Sequence, residues 1–292
     1  MQLSDLLNLF YKWLSSSVVM MLQYFAFTGI VFLIFYVWKR KATWAAKIQK
    51  KYPDNKHIFR EIRYSIYTLM ILGGIILCIV WANKHHLTLA YSPIDKYGWG
   101  YYFFSFVLMI IVHDTYFYWT HRLLHWKLLF KHAHKVHHQS MNPTAFAAYS
   151  FHPIEAVVQM GIVPVLVFTI PHHISVVTVF ATYSLILNVS GHVGYDYMPK
   201  WFVRSKWFNW HNTPTHHNLH HTNFKTNYGL YFNFWDAIMK TNHPHYEAIY
   251  DKVMEAREQG TTGHPDDLAT KRDSVMVKPV AGQPMSGERI SA

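Results

Sequence analysis

Apolar residues run in blocks too long for an ordinary globular helix. Val18 to Trp38 holds 21 residues without a charge, and at about 1.5 Å rise per residue such a helix crosses the roughly 30 Å hydrocarbon core of a bilayer. Tyr64 to Ala82 predicts a second span, uncharged and carrying the Gly73-Gly74 pair. A third run, Gly98 to Val112, continues through His113 and Asp114 to His121. Ala156 to Leu187 has no Asp, Glu, Lys or Arg and is interrupted at Pro171-His172-His173. Two helices of about 15 residues joined by a turn are expected there, a tilted or partly inserted hairpin. The pattern predicts an all-α integral membrane protein of about four transmembrane or hairpin helices.

The loops orient it. Residues 39 to 63 carry Lys39, Arg40, Lys41, Lys47, Lys50, Lys51, Lys56, Arg60 and Arg63 against Asp54 and Glu61, a net +7, whereas Asn83 to Tyr97 hold only Lys84, Asp95 and Lys96. Cytoplasmic loops accumulate Lys and Arg, so the first loop is expected inside and the second outside. The third span then delivers its histidines to the cytoplasmic face. No A-x-A-like site follows the first apolar run, and Asp5 precedes Lys12, which argues against a cleaved signal peptide. Three segments are expected: residues 1–98 as a membrane anchor with two spans and a basic loop, 99–250 as a catalytic domain, and 251–292 as a polar tail. That tail has six cations, seven anions and few large apolar residues, a composition expected to be disordered beyond about residue 260.

Composition narrows the chemistry. The chain is 51% hydrophobic, 17% aromatic and only 15% charged, against about 25% charged in ordinary soluble domains. The net charge of +11 lies mostly in the membrane-flanking loop, and no helix-turn-helix, finger or RNP signature accompanies it, so nucleic acid is not an expected partner. A single cysteine, Cys78, excludes an intrachain disulfide, a Cys-rich zinc site and a self-contained iron–sulfur cluster. Any metal must be held by nitrogen or oxygen. Histidine, with 22 copies against 16 acids, supplies the nitrogen.

Those histidines occur in spaced groups. His121-Arg-Leu-Leu-His125 places two on one helical face; His134-Lys-Val-His137-His138 and His217-Asn-Leu-His220-His221 repeat an i, i+3, i+4 spacing. Eight imidazoles exceed the three or four that one zinc takes from a protein, and two metal ions are the simpler account. Lone helical histidines are ordinarily satisfied polar side chains, and that reading is kept for His113, His132, His172, His173, His211 and His216. No Glu-x-x-His, H-E-x-x-H, Walker A, G-x-S-x-G or G-x-G-x-x-G motif is present, so carboxylate-bundle, zincin, phosphate, serine-hydrolase and dinucleotide chemistries have no anchor.

From about Asp114 to Tyr246 the chain resembles the membrane-bound fatty acid hydroxylase/sterol desaturase superfamily, recognised by H-x3-H, H-x2-H-H and H-x2-H-H boxes. The resemblance rests on Tyr118-Trp-Thr-His121-Arg-Leu-Leu-His125, the two later boxes, Phe151-His152-Pro153-Ile-Glu155 and Gly191-His192-Val-Gly-Tyr195. Asn227-Tyr-Gly229 and Phe234-Trp235-Asp236 look like the sequence after the last box of lathosterol oxidase-type sterol desaturases. The resemblance implies a non-haem di-iron oxygenase that uses O2 to hydroxylate or desaturate a lipid, a sterol or a fatty-acyl lipid. It implies two iron ions held by His121, His125, His134, His137, His138, His217, His220 and His221, with His192 as a ninth ligand. His152 is family-like and is kept as a partner of the ligands rather than a ligand. Asp114 and Glu155 could accept the distal N–H of a ligand imidazole or pair with Arg122. Tyr116, Phe117, Tyr118, Trp119, Phe146, Phe151, Tyr228, Phe232 and Trp235 are candidates for lining a lipid pocket.

With no C-x-x-C-H motif, flavin fingerprint or cysteine set, electrons are expected from a separate cytochrome- or ferredoxin-type carrier on the cytoplasmic face. The alternative is a histidine-rich membrane metal transporter or sensor without oxygenase activity. It predicts ionisable residues along the spans, and the first two lack them.

Overall fold

The computed structural model describes residues 2–260 and His264. The expected polar tail beyond residue 260 therefore lies outside the described residues, apart from His264. Among the described residues the fold is helical, with one two-residue parallel pairing between β1 (Ala90–Tyr91) and β2 (His172–His173).

Among the described residues four helices are long and apolar enough to cross a membrane. The first, α1 (Leu3–Phe32), continues as a π-helical turn, Leu33–Trp38. It starts well before Val18, because residues 3–17 carry only Asp5 and Lys12 among helix-tolerant residues, and the Asp5 carboxylate accepts the Gln2 N–H at 2.9 Å. The second, α2 (Asn55–Lys84), is capped by Asp54, which accepts the His57 N–H at 2.8 Å. The others are α3 (Gly98–Leu124) and, further on, α8 (Ile174–His192). Large apolar side chains on all four remain exposed, Leu22, Val80, Phe103 and Ile186 among them, as lipid-facing surfaces require. The protein is an all-α, multi-pass membrane protein.

Between α3 and α8 lie α4 (Lys127–Leu129), a π-helical turn Phe130–His134, α5 (Lys135–His138), and the apolar pair α6 (Pro153–Met160) and α7 (Ile162–Thr169). The interruption expected at Pro171 is where β2 separates α7 from α8. After α8 come α9 (Pro214–Thr222), α10 (Phe234–Ile238) and α11 (Tyr246–Gln259). A domain boundary at 250 would cut α11, whose Tyr250, Val253 and Met254 are buried with Val203. Val253 and Met254 pack inward, and Arg257 on the same side donates to Met198 O at 2.6 Å.

Two cores hold the site. Met109 and Ile110 of α3 meet Ile162 and Leu166 of α7, Val176 and Phe180 of α8, and Tyr231. Tyr24 and Leu69 of α1 and α2 pack on Ala145, Ala148 and Val189, and the Tyr24 hydroxyl donates to the Phe146 carbonyl at 2.9 Å. The basic loop joins this assembly: Ile48 N–H donates to Gly194 O at 3.1 Å and Asp196 N–H to Ala46 O at 2.9 Å. Asp196 in turn accepts the Thr215 N–H (3.0 Å) and hydroxyl (2.7 Å), fixing the start of α9 just after α8 has ended.

Candidate metal centre

Three helical segments bring the histidine boxes to one place. Box one ends α3, with His125 at its C-cap. Box two lies on the π-helical turn and α5, and box three occupies α9. On a helix, i and i+4 nearly eclipse, while i+3 and i+4 diverge by about 100°. His134 and His138 therefore share one group, with Nε2 atoms 3.0 Å apart, while His137 turns to a second. In box three the division is reversed: His217 and His221 point to the second group, 3.2 Å apart, and His220 to the first.

The first group is His121, His125, His134, His138 and His220; the second is His137, His192, His217 and His221. Within each group one nitrogen per residue lies within 4.8 Å of all the others. His192, at the end of α8, reaches His217 at 3.0 Å and His137 at 3.5 Å. His113, His132, His172, His173, His211 and His216 belong to neither group.

The outer ring nitrogens decide what the inner ones can do. His134 Nδ1–H donates to Glu155 Oε1 at 2.6 Å. His121 donates to the Tyr228 carbonyl at 2.9 Å, His192 to Asn188 O at 2.7 Å, and His220 to Thr226 O at 2.6 Å. Each acceptor holds the proton on Nδ1 and leaves a lone pair on Nε2. Yet the Nε2 atoms of His121 and His134, both held in that tautomer, stand 3.1 Å apart. Facing lone pairs at that separation repel unless a cation lies between them. Burial, reinforced by neighbouring imidazoles, pushes His134, His138, His217, His220 and His221 well below the usual histidine pKa, so charged rings do not relieve the repulsion. The donor set fits two metal ions bound through nitrogen.

Not every expected partner reaches the histidines. Asp114 contacts neither a ligand imidazole nor Arg122: its Oδ1 accepts the backbone N–H groups of Tyr231 (2.8 Å) and Phe232 (3.2 Å). Seven residues are two helical turns, so it sits about 10 Å along α3 from His121. His152 caps α6, its Nδ1 accepting the Ile154 N–H at 3.3 Å, and does not touch the cluster. A buried carboxylate without an assigned role, Asp236, organises the loop that holds His121. It accepts the N–H groups of Tyr228 and Gly229, both at 2.8 Å, and the Thr241 hydroxyl at 2.7 Å. The Asn227-Tyr-Gly229 and Phe234-Trp235-Asp236 segments were its sequence signal.

An apolar cavity of about 120 Å³ adjoins the cluster, lined by residues of α1, α2, α3, α6, α7 and α8. Its wall includes Phe117, whose ring is 4.9 Å from that of His121, and Phe151, 5.2 Å from His137. Of the nine aromatic residues expected to line a pocket, these two do so. Tyr118 instead stacks on Trp235, Tyr116 donates to Val158 O, and Phe146 packs among α1 side chains.

Residues 106–241, which contain all nine clustered histidines, match the fatty acid hydroxylase family. A Delta(7)-sterol 5(6)-desaturase of Gibberella zeae is 30% identical over 207 residues, 70% of this chain and 62% of that protein. Lathosterol oxidase of Rattus norvegicus is 30% identical over 192 residues, covering 64% and 62%. C-4 methylsterol oxidase of Schizosaccharomyces pombe is 31% identical over 163 residues, covering 54% and 51%. No solved structure matches the chain. The resemblance to the fatty acid hydroxylase/sterol desaturase superfamily thus holds over residues 106–241; the chain spans 51% to 62% of the length of these three relatives.

Proposed function

We propose that the protein is a membrane-bound non-haem di-iron oxygenase that uses O2 and externally supplied electrons to hydroxylate or desaturate a lipid. The observation that carries this reading is the division of nine imidazoles into groups of five and four, with facing inner nitrogens 3.0–3.5 Å apart and, among the described residues, no side-chain cation or carboxylate between them. His121, His125, His134, His138 and His220 would hold one iron; His137, His192, His217 and His221 would hold the other. Two irons bound there would supply the redox capacity to activate O2 against an unactivated C–H bond. The names of the similar proteins, sterol desaturases and sterol oxidases, support a lipid substrate.

The chain's own residues set the conditions for that chemistry. Glu155 and the carbonyls of Tyr228, Asn188 and Thr226 fix the tautomers and ring orientations of four ligands. The buried histidine cage excludes bulk water, and the apolar cavity presents a lipid to it through Phe117 and Phe151. Residues 1–98 serve as the anchor and residues from 99 through α11 as the catalytic domain. The basic loop belongs on the cytoplasmic side by the positive-inside rule. Gln49 of that loop donates to Met141 O at 2.6 Å and to Asn218 Oδ1 on α9 at 2.9 Å, so the metal centre lies on the same side. There it is accessible to a separate cytochrome- or ferredoxin-type carrier.

Metal analysis by mass spectrometry tests the reading, using untagged protein from iron-supplied cells beside a His137→Ala/His220→Ala variant. About two irons per wild-type chain, largely lost in the variant, are expected. One zinc or copper per chain, or metal unaffected by the substitutions, would overturn the assignment in favour of a transporter or sensor.

A further inference from the structure

On α6, the face turned inward carries Glu155, Ala156, Gln159 and Met160. Glu155 and Gln159 are spaced i, i+4 and so lie one above the other, about one helical turn apart. Glu155 is hydrogen-bonded to a histidine of the metal centre. Gln159 lines the apolar cavity and is only 4% exposed, yet neither its Oε1 nor its Nε2 has a hydrogen-bond partner among the described residues. Two other polar residues of the same wall are already engaged: His113 Nδ1 with the Tyr231 hydroxyl at 2.9 Å, and Asn188 Nδ2 with Ala148 O at 3.2 Å.

An unpaired carboxamide buried beside an apolar void is costly, and polar side chains at membrane depth ordinarily mark function. A carboxamide both donates and accepts. A hydroxyl matches it, being itself donor and acceptor. Among the described residues no Lys, Arg, Asp or Glu lines the cavity, and its one histidine, His113, is engaged by the Tyr231 hydroxyl, so no fixed cation is there to neutralise a carboxylate or phosphate head group.

We propose that Gln159 is the polar anchor of the substrate, and that the site takes a neutral lipid whose hydroxyl hydrogen-bonds to the Gln159 carboxamide. This rests on the reading of the cavity as the lipid site of an oxygenase. Gln159 is one helical turn from the carboxylate that touches His134, so the anchor holds the lipid in a fixed position relative to the metal centre. The anchor would thus set position as well as affinity.

Equilibrium dialysis of the iron-loaded protein in detergent tests this with two matched pairs of probes, cholestanol against cholestane and hexadecanol against hexadecane. For at least one pair, the wild type should hold the alcohol about tenfold more tightly than the hydrocarbon. Preference in the sterol pair or in the linear pair supports the anchor equally and identifies the class of alcohol. In Gln159→Met, which preserves length, and in Gln159→Leu the preference should vanish while hydrocarbon binding stays unchanged. Both variants delete an unpaired buried amide, so the ligand-free protein should unfold at the same temperature as the wild type or higher. Equal binding of alcohol and hydrocarbon by the wild type, or a preference that survives both substitutions, would overturn the proposal. Iron content of the same samples separates the two claims: two irons without alcohol preference sinks only the anchor, whereas absence of iron sinks the oxygenase reading.

Discussion

Glu155 accepts the Nδ1–H of His134 at 2.6 Å, and neither side chain reaches solvent. A carboxylate behind a ligand imidazole fixes its tautomer and raises its basicity, and loss of such a partner typically costs about 10–100-fold in metal affinity. Glu155→Ala should therefore weaken metal retention by about that factor, while Glu155→Gln, which keeps an acceptor, should lose less. Chelator-competition titrations followed by metal analysis check this. Equal retention by Glu155→Ala and the wild type would show that the pair only packs.

His192 makes a sharper test of the two-group arrangement. Without it the second group keeps three imidazoles, from His137, His217 and His221, while the first group of five is untouched. His192→Ala should reduce metal content from about two ions per chain to about one. His125→Ala, which leaves four imidazoles in the first group, should lose less. If both variants lose both metals together, the groups do not load independently.

How much of this was visible in the sequence follows from what each interaction uses. The boxes were legible because the helical period converts spacing into a shared face, and the apolar runs because a bilayer imposes length. Which histidine joins which group was not: box two gives two residues to the first group and box three two to the second, and only the packing of the segments in space decides that. The acceptors behind His121, His192 and His220 are main-chain carbonyls, which every residue possesses, so no side chain announces them. Asp114 illustrates the opposite error. Proximity in sequence to box one suggested a role beside His121, but two helical turns carry its carboxylate to the Tyr231–Phe232 backbone.

Close packing of α1 on α2 depends on Gly73. A Cβ there would collide with the Ser17 hydroxyl and come within 3.0 Å of the Ser17 backbone. Small residues let membrane helices approach in this way. Gly73→Ala should lower the thermal midpoint in detergent, at a cost of about 1–3 kcal/mol from overpacking. Gly29 of α1 provides the control, since a Cβ there meets nothing within 4 Å. Gly29→Ala should be neutral or slightly stabilising, because Ala is the better helix former. Equal effects at the two positions would mean that the helices separate easily and that the Gly73–Ser17 contact contributes little.

Lys47 is fully buried in the basic loop, its Nζ 4.9 Å from the Tyr195 ring centre, 5.4 Å from that of Tyr36 and 3.4 Å from Asn142 Oδ1. Burial, followed by the charge on Lys50, pushes its pKa down from 10.5 to about 7. The surrounding tyrosine faces favour the ammonium, but they only partly replace the water it has lost. Between these two values the unfolded chain binds a proton that the folded chain releases, so stability rises with pH across that window and levels off above it. Below the folded value the cost of burying the charge is present in full. The thermal midpoint of the wild type should therefore climb from pH 7 towards pH 10. Lys47→Met keeps the stem packed against Tyr36 and Tyr195 without the ammonium, and should flatten this rise and unfold at a higher temperature than the wild type near neutrality. A wild type whose midpoint stays as level as the variant's from pH 7 towards pH 10 would show that the aromatic box stabilises the cation and that Lys47 is charged in the fold.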